Sequence, residues 1–72
     1  MKEKKISDTN LVAYLHMKSI PLKRIDVEKQ YKYFVYNEDE KLKEVLIEYY
    51  NSDMSRFVAS LNYVKTLIYK NL

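Results

Sequence analysis

The sequence predicts an α+β domain with a short N-terminal helix, an antiparallel β-hairpin and two C-terminal helices packed on the hairpin. Apolar residues recur at every third or fourth position near both ends of the chain, as on one face of a helix. Between Leu22 and Val27 they instead alternate with polar residues, and the run from Gln30 to Tyr36 is rich in aromatic residues; both patterns are typical of β-strands. A length of 72 residues is enough for one small domain. The chain includes no cysteine, so we expect no disulfide reinforcement.

The N-terminal part of the chain predicts a flexible arm followed by the first helix. Residues 1–7 alternate in charge without periodic hydrophobicity, so we expect this arm to lie outside a single domain of residues 8–72. The segment Asp8-Thr9-Asn10 can cap the helix, because its side-chain oxygens can accept hydrogen bonds from the free N–H groups of the first turn. The segment Ser19-Ile20-Pro21 ends the helix, since proline lacks a backbone N–H and favours an extended residue before it. The apolar face of this helix consists of Leu11, Tyr14 and Leu15.

Two strands form the predicted hairpin. Alternation from Leu22 to Val27 predicts the first strand, and the aromatic-rich run from Gln30 to Tyr36 predicts the second. The connection between them is too short for anything but antiparallel pairing. Tight hairpin turns prefer glycine, which this chain lacks, so we expect a loop of about three to five residues.

Two helices are predicted after the hairpin. Asn37 followed by Glu40 is a capping signature and predicts a helix over residues 38–50. The polar segment Asn51-Ser52-Asp53 interrupts the apolar spacing and predicts a second helix over residues 53–70. Each helix carries an apolar stripe that we expect to be buried. The first stripe consists of Leu42, Val45, Leu46 and Tyr49, and the second of Phe57, Val58, Leu61, Val64 and Ile68.

Charge and hydropathy narrow the classes of partner. Thirteen Lys and Arg residues against ten Asp and Glu residues give a net charge of +3, and the segment from Lys18 to Lys32 alone carries this excess. Any anion-binding surface is therefore expected in the middle of the chain. The apolar runs are far shorter than the ~20 residues of a membrane helix, and no apolar segment follows the basic N-terminus. We expect no membrane partner and a cytoplasmic location.

The residue inventory argues against an enzyme. His16 is the single histidine, and cysteine and glycine are absent. A Ser-His-Asp or Cys-His arrangement thus has no serious candidate, and two-His metal sites and glycine-rich phosphate loops are excluded within one chain. Glu44 and Glu48 lie four residues apart on one helix face, but Lys41 and Lys43 beside them favour a solvated surface. The sequence predicts no enzymatic activity, no cofactor, no metal and no small-molecule substrate.

Tyrosine is the anomaly of this composition, with eight residues among 72 and no tryptophan. Tyr14 and Tyr49 are expected in the core, where a small domain fills space efficiently with aromatic rings. On the second strand, successive side chains point to opposite faces of the sheet, so both faces carry aromatics. Helices can cover only one of them. The other face is either a contact surface or a second core layer under the N-terminal helix.

Two classes of function follow. The first is a small binding protein that acts through protein–protein contact, with itself or with a larger target, and uses aromatic side chains as anchors. Its candidate residues are Tyr31, Tyr33, Phe34, Tyr36, Tyr50, Tyr63 and Tyr69. The alternative is a nucleic-acid-binding module in which hairpin rings stack on bases and cations neutralise phosphates. Its candidate residues are Lys18, Lys23, Arg24, Lys29 and Lys32.

One variant of the alternative is a ribbon–helix–helix arrangement. A strand over residues 31–36 followed by helices over 38–50 and 53–70 has the element order of such repressors, whose dimers read the major groove with strands. Here each strand face offers mostly aromatic rings in place of polar base-reading groups. A preceding strand could also occupy the edge that the dimer needs.

Several segments together resemble a known family. They are Asp8 through Leu15, Tyr33 through Tyr36, Leu42 through Asn51, Phe57, and Val64 through Tyr69. This pattern resembles a family of short, uncharacterised proteins of bacteria and their phages that is catalogued as a domain of unknown function. The family tends to have a small residue, often glycine, near Ser19, and this chain departs from that pattern by having no glycine. The resemblance implies binding to a host or viral macromolecule, for example as an inhibitor of host defence, and it assigns no residue roles.

Overall fold

Three helices and a three-stranded antiparallel sheet make up residues 2–70, the part of the chain that the structure, a computed structural model, describes. The predicted α+β class is confirmed, with a helix, a hairpin and two further helices in that order, and with an additional strand in front. The elements are β1 (Glu3–Ile6), α1 (Thr9–Met17), β2 (Arg24–Glu28), β3 (Tyr31–Asn37), α2 (Glu40–Tyr50) and α3 (Asp53–Lys70).

The N-terminal segment forms a strand, so the predicted flexible arm over residues 1–7 is wrong for residues 3–6. β1 pairs antiparallel with β3, and the sheet order is β1-β3-β2. A hairpin leaves one edge of β3 with unpaired backbone groups, and β1 supplies their partners. The alternation of β1 also places Ile6 in the core, with 6% of its surface exposed. Met1 lies outside the described residues.

The hairpin turn is tighter than predicted. Glu28 pairs directly with Tyr31, so only Lys29 and Gln30 connect β2 to β3. Two-residue hairpin turns need positive φ because their twist must match that of the strands. Lys29 provides it with φ of 58°. The expected loop of three to five residues is therefore wrong, since a non-glycine residue accepts the left-handed conformation here.

Aspartate side chains cap the first two helices. Asp8 Oδ1 accepts hydrogen bonds from the N–H groups of Asn10 at 2.9 Å and Leu11 at 3.3 Å, which confirms the predicted capping segment of α1 and selects Asp8 within it. In α2 the cap is Asp39, whose Oδ1 accepts from the Leu42 N–H at 2.9 Å. The predicted cap, Asn37, instead ends β3. The strand takes priority there because Asn37 pairs with Glu3 of β1, which the sequence did not reveal as a strand.

A Schellman motif ends α1. The Ile20 N–H donates to the Leu15 carbonyl and the Ser19 N–H donates to the His16 carbonyl, both at 3.0 Å. Ser19 occupies the left-handed position of the motif with φ of 61°, where glycine is usual. Ile20 is buried and joins the core beyond the helix end. This geometry sends the chain toward β2.

The core lies between α1, α2 and one face of the sheet. The prediction that Tyr14 and Tyr49 are core residues is confirmed: both are buried, and their rings meet edge to face with centroids 5.1 Å apart. Such pairs add stabilisation beyond the area that they bury. The buried cluster consists of Ile6, Leu11, Tyr14, Leu15, Ile20, Tyr36, Leu42, Val45 and Tyr49.

Glu48 of α2 makes side-chain contacts that link α2 to the C-terminal half of α1. Its Oε1 accepts a hydrogen bond from the Tyr14 hydroxyl at 2.6 Å and lies 2.6 Å from Lys18 Nζ. The Lys18 ammonium and then the Tyr14 hydroxyl hold the pKa of the Glu48 carboxyl below its usual value. The same carboxylate raises the pKa of Tyr14 and of Lys18. Glu48 thus ties two helices together, while Glu44 stays on the solvated face.

α3 differs from the other two helices, because none of its 18 residues is buried. The prediction placed its apolar stripe on the hairpin, and that packing is absent from the described residues. The radius of gyration is 14.4 Å, against about 11 Å for a compact chain of this length. The turn at Asn51 and Ser52 leads α3 away from the body, which here means residues 3–50.

Candidate interaction surface

The apolar stripe of α3 is a continuous exposed surface. Its residues follow a 3-4-3-4 spacing, which keeps them on one face of the helix as in the a and d positions of a coiled coil. Each of them exposes between 39% and 63% of its surface. We call this surface the α3 stripe; it consists of Met54, Phe57, Leu61, Val64 and Ile68.

A groove of about 240 Å³ adjoins the N-terminal half of the α3 stripe. One wall comes from α1 and the end of α2, and the other comes from the first two turns of α3. Asn10 is the polar residue among otherwise apolar and aromatic walls. A cavity of about 150 Å³ accepts a benzene molecule, so this groove can take more than one aliphatic side chain. Its apolar and aromatic lining is Ala13, Tyr14, Met17, Tyr49, Met54, Phe57, Val58 and Leu61.

The predicted tyrosine anchors do not form one surface. Tyr36 is 2% exposed within the core, so its assignment as an interface residue is wrong. Phe34 is half-buried and packs against the same core, because both residues lie on the helix-facing side of the sheet. Tyr31 and Tyr50 are exposed, one beside the hairpin turn and the other at the end of α2. Tyr33 is half-buried on the opposite face of the sheet.

The tyrosines of α3 lie beside or behind the stripe. Tyr63 is about 160° around the helix axis from Leu61, so it faces away from the apolar seam. Tyr69 is the most exposed large apolar residue among those described, at 79%. Sequence reasoning identified much of the stripe but assigned it to the core. The sequence held no signal for exposure, because Val58 and Leu67 beside the stripe widen the apolar face to that of a typical core-facing helix.

Charged side chains cover the open face of the sheet. Val35 of the central strand is fully buried but does not belong to the core cluster. Its partners in the neighbouring strands are Lys5 and Arg24, whose aliphatic stems can lie over it. The Lys5 ammonium lies 5.7 Å from the ring centroid of Tyr33. The second aromatic face of β3 is thus neither a bare contact surface nor a layer under α1, which corrects both expected alternatives.

These charges form a neutral network that joins β1 to β2. Arg24 donates two parallel hydrogen bonds to the Glu3 carboxylate at 2.7 and 2.8 Å, and Lys23 Nζ lies 2.6 Å from Glu3 Oε2. Arg24 also donates to Asp26 at 2.8 Å. The donors Arg24 and Lys23 lower the pKa of Glu3 to about 2. The network continues through a hydrogen bond from Lys5 to Glu28, which raises the pKa of Lys5.

Three of the five predicted nucleic-acid contacts already have carboxylate partners. Lys18 pairs with Glu48, and Lys23 and Arg24 both pair with the Glu3 carboxylate. The remaining two, Lys29 and Lys32, lie in and next to the hairpin turn. The structure therefore does not assemble the five cations into one free basic patch.

The apolar side of β2 is only partly covered. Ile25 pairs with Phe34, which places it on the helix-facing side, yet Ile25 is about half exposed. Val27 pairs with Lys32 and is more exposed still. These two residues form a small second apolar patch at the sheet edge, separate from the α3 stripe in element and in sequence.

The ribbon–helix–helix variant is wrong for this fold. In that arrangement the strand before the two helices pairs with its counterpart in a second chain. Here β3 is the central strand, and β1 and β2 occupy both of its edges. Its backbone hydrogen bonds are therefore already made within one chain.

Neither a metal site nor a membrane helix is evident between residues 2 and 70. His, Asp and Glu side chains in this range do not gather into groups of three that could hold a metal ion. None of the three helices in the same range combines the length and the apolar character of a membrane span.

Comparison with known proteins identifies a family but no characterised relative. Neither the curated proteins nor the solved structures contain a significant match to this chain. A family model described as a domain of unknown function, DUF5659, matches residues 1–70. The match covers β1 through the end of α3 and confirms the resemblance inferred from the aromatic and apolar positions. The chain therefore belongs to the DUF5659 family.

Proposed function

We propose that this protein is a non-enzymatic binding module that acts through protein–protein contact, and that the α3 stripe is its contact surface. The observation that carries the proposal is an 18-residue amphipathic helix with no buried residue. Helices in proteins gain most of their stability from packing an apolar face rather than from intrinsic propensity. α3 meets mainly the end of α2 and leaves its apolar stripe exposed. A partner that covers this stripe best explains the helix.

The form of the surface supports a protein partner. Contiguous exposed apolar surface of this kind is rare on monomeric proteins and marks sites of interaction. The groove beside the stripe is a pocket in which an anchor side chain of a partner can be buried. The anchors that the proposal favours are Phe57 and Leu61, which belong both to the stripe and to the groove. The tyrosines of the hairpin have a smaller part than the sequence suggested.

Nucleic-acid binding by the hairpin is the less favoured alternative. A phosphate that approaches Arg24 or Lys23 must compete with the Glu3 carboxylate, which both residues already contact. Lys29, Lys32 and the exposed ring of Tyr31 are the residues that still support this alternative. A salt titration against mixed DNA and RNA tests it, because phosphate-driven affinity falls steeply with ionic strength. We expect no measurable binding at physiological salt.

Co-purification of tagged full-length chains tests the proposed contact surface. Leu61→Glu places a charge in the centre of the α3 stripe, and Ala59→Glu places the same charge about 160° away on the helix. We expect partners, including a co-expressed untagged copy, to be retained by the wild type and by Ala59→Glu but not by Leu61→Glu. Equal retention by all three chains, or retention by none, would contradict the proposal.

The cellular setting is a separate part of the proposal. The family resemblance favours a phage or mobile-element protein that binds a host or viral protein, for example to inhibit host defence. A cytoplasmic location fits the same setting. Both stay predictions, and an interaction screen between infected and uninfected cells with the Leu61→Glu chain as control tests them.

A further inference from the structure

We infer that the occupant of the α3 stripe is a second copy of this chain, with the two α3 helices packed antiparallel. The inference rests on the proposed function, because it uses the same surface, and it goes further by naming the partner. Three observations support it. The accessible surface of the chain is larger than expected for its mass, the apolar residues of the stripe have the spacing of a helix pair, and the two ends of α3 differ in charge.

The accessible surface of the chain is larger than a folded monomer of its mass should have. It is 5832 Å², whereas the general relation between mass and surface gives ~4,700 Å² for 8.7 kDa. The excess of about 1,100 Å² exceeds the ~800 Å² that each partner buries in a standard protein interface. One symmetric contact along α3 would therefore return the surface to the normal range.

The spacing of the stripe suits pairing with itself. Alternate steps of three and four residues create the a and d seam through which two helices interlock. In an antiparallel pair, a residues of one helix face d residues of the other. Phe57 then meets Ile68 of the second copy, and Leu61 meets Val64 of the second copy. All stripe residues except Met54 find an apolar counterpart in this register.

Charge at the helix ends favours the antiparallel direction. Asp53 lies in the first turn of α3 and Lys70 in the last. Asp53 is already paired with Arg56 of its own helix at 2.8 Å, so this end of α3 is neutral. Antiparallel pairing sets the neutral end against the partner end that carries Lys70, and it also opposes the two helix dipoles favourably. Parallel pairing would instead place the two Lys70 ammonium groups side by side. The whole chain carries +3, so a contact that keeps like charges apart matters for two identical copies.

The groove fits the same arrangement. Phe57 lines it, and the register places Ile68 of the second copy beside Phe57. An aliphatic side chain entering there would contact Ala13 and Met17 of α1 as well as α3. The second copy would thereby cover the apolar walls that the monomer leaves open. This contact adds the body of the protein to an interface that two short helices alone would make weakly.

Sedimentation equilibrium of the purified full-length chain tests the inference. We expect a mass of twice 8.7 kDa for the wild type and for Ala59→Glu. Because Leu61→Glu would bury a charge without a partner, we expect it to weaken dimerisation at least ~100-fold. Circular dichroism of each chain shows whether its fold is intact. A wild type that stays monomeric up to ~0.5 mM, or a Leu61→Glu chain that dimerises as well as the wild type, overturns the inference.

Spin-label distances test the direction of pairing. The chain has no cysteine, so Asn62→Cys and Tyr69→Cys each carry a single label. In the register above, the two labels at position 62 lie close together, whereas the two labels at position 69 lie roughly 20 Å apart along the helix axis at 1.5 Å per residue. Equal separations at the two positions mean parallel pairing and overturn the antiparallel arrangement.

The two proposals can fail separately. A monomeric wild type that still retains another protein through Leu61 in co-purification overturns the second copy as occupant and leaves the contact surface standing. A monomeric wild type that retains nothing overturns both.

Discussion

The body of the protein, residues 3–50, and helix α3 carry similar side chains but use them differently. In the body, Leu42 and Leu15 are fully buried, and the charges on the open face of the sheet are paired with one another. In α3, leucine, valine and phenylalanine at regular spacing remain exposed. An apolar stripe therefore does not by itself indicate a core position; it indicates only that the helix needs something to pack against.

The body buries its apolar side chains because several of its elements pack against one another from different directions. α1, α2 and the sheet enclose one cluster, and Glu48 and Asp39 hold the helices by side-chain contacts. α3 follows a short turn and meets mainly the end of α2. The difference places the buried core in residues 3–50 and the exposed apolar stripe in residues 53–70.

We expect the largest change in the free energy of unfolding from truncating one leucine to alanine in the body, compared with the same substitution in α3. Leu42→Ala empties a fully buried site, and we expect it to lower the free energy of unfolding by about 2–5 kcal/mol. Leu61→Ala removes the same atoms from an exposed site, so at concentrations where the chain is monomeric we expect a loss below about 1 kcal/mol. Urea unfolding followed by circular dichroism measures both. Similar losses at high dilution would mean that α3 packs within its own chain.

The next effect concerns the two residues with positive φ in the body. We expect Ser19→Gly and Lys29→Gly each to raise the free energy of unfolding by about 0.5–1 kcal/mol, because the relief of left-handed strain outweighs the greater chain entropy of glycine. Gln30→Gly is the matched control for the hairpin turn, since φ is not positive there. Thermal unfolding measures all three. A gain for Gln30→Gly as large as that for Lys29→Gly would contradict this explanation of the turn.

The smallest effect is the acid response of the network on the open face. The folded pKa of Glu3 is about 2, below its usual value of 4.5. A lowered folded pKa means that Glu3 stabilises the protein above pH 4.5 and that this contribution is lost as the pH falls from about 4.5 to about 2. We expect Glu3→Gln to flatten the dependence of the melting temperature on pH within that window.

Glu44→Gln is the control for this measurement, because Glu44 forms no ion pair within residues 2–70. It should leave the slope between pH 4.5 and 2 close to that of the wild type. The contribution of exposed ion pairs is small and salt-dependent, so the difference should shrink at high ionic strength. An unchanged slope in Glu3→Gln at low salt would show that the network does not stabilise the sheet.

Local signals predicted most elements and missed the contacts between distant segments. The capping segment that contains Asp8 was recognisable because the groups that Asp8 bonds are two and three residues away. β1 was missed because four residues with three charges look like an arm until β3 provides an edge for them. The same contact explains why Asp39 caps α2 in place of the predicted Asn37. Asn37 pairs with Glu3 of β1 and therefore belongs to the strand.

The candidate site shows the same limit. The spacing of Leu61 and its neighbours was visible in the sequence, but whether the stripe faces a core or solvent depends on the direction in which α3 leaves α2. The carboxylate partners of Arg24 and Lys23 were equally hidden, since Glu3 is 20 or more residues away along the chain. Charge counting therefore overstated the basic surface.

The sequence alone determined the three helices and the two hairpin strands, the absence of cysteine chemistry and the presence of two apolar stripes, because these depend on residue type and spacing over a few positions. The tertiary structure decided the third strand, the burial of Tyr36, the neutral sheet face and the exposure of α3. Those properties depend on which distant segments meet, and pairing energies between such segments leave no mark in local spacing.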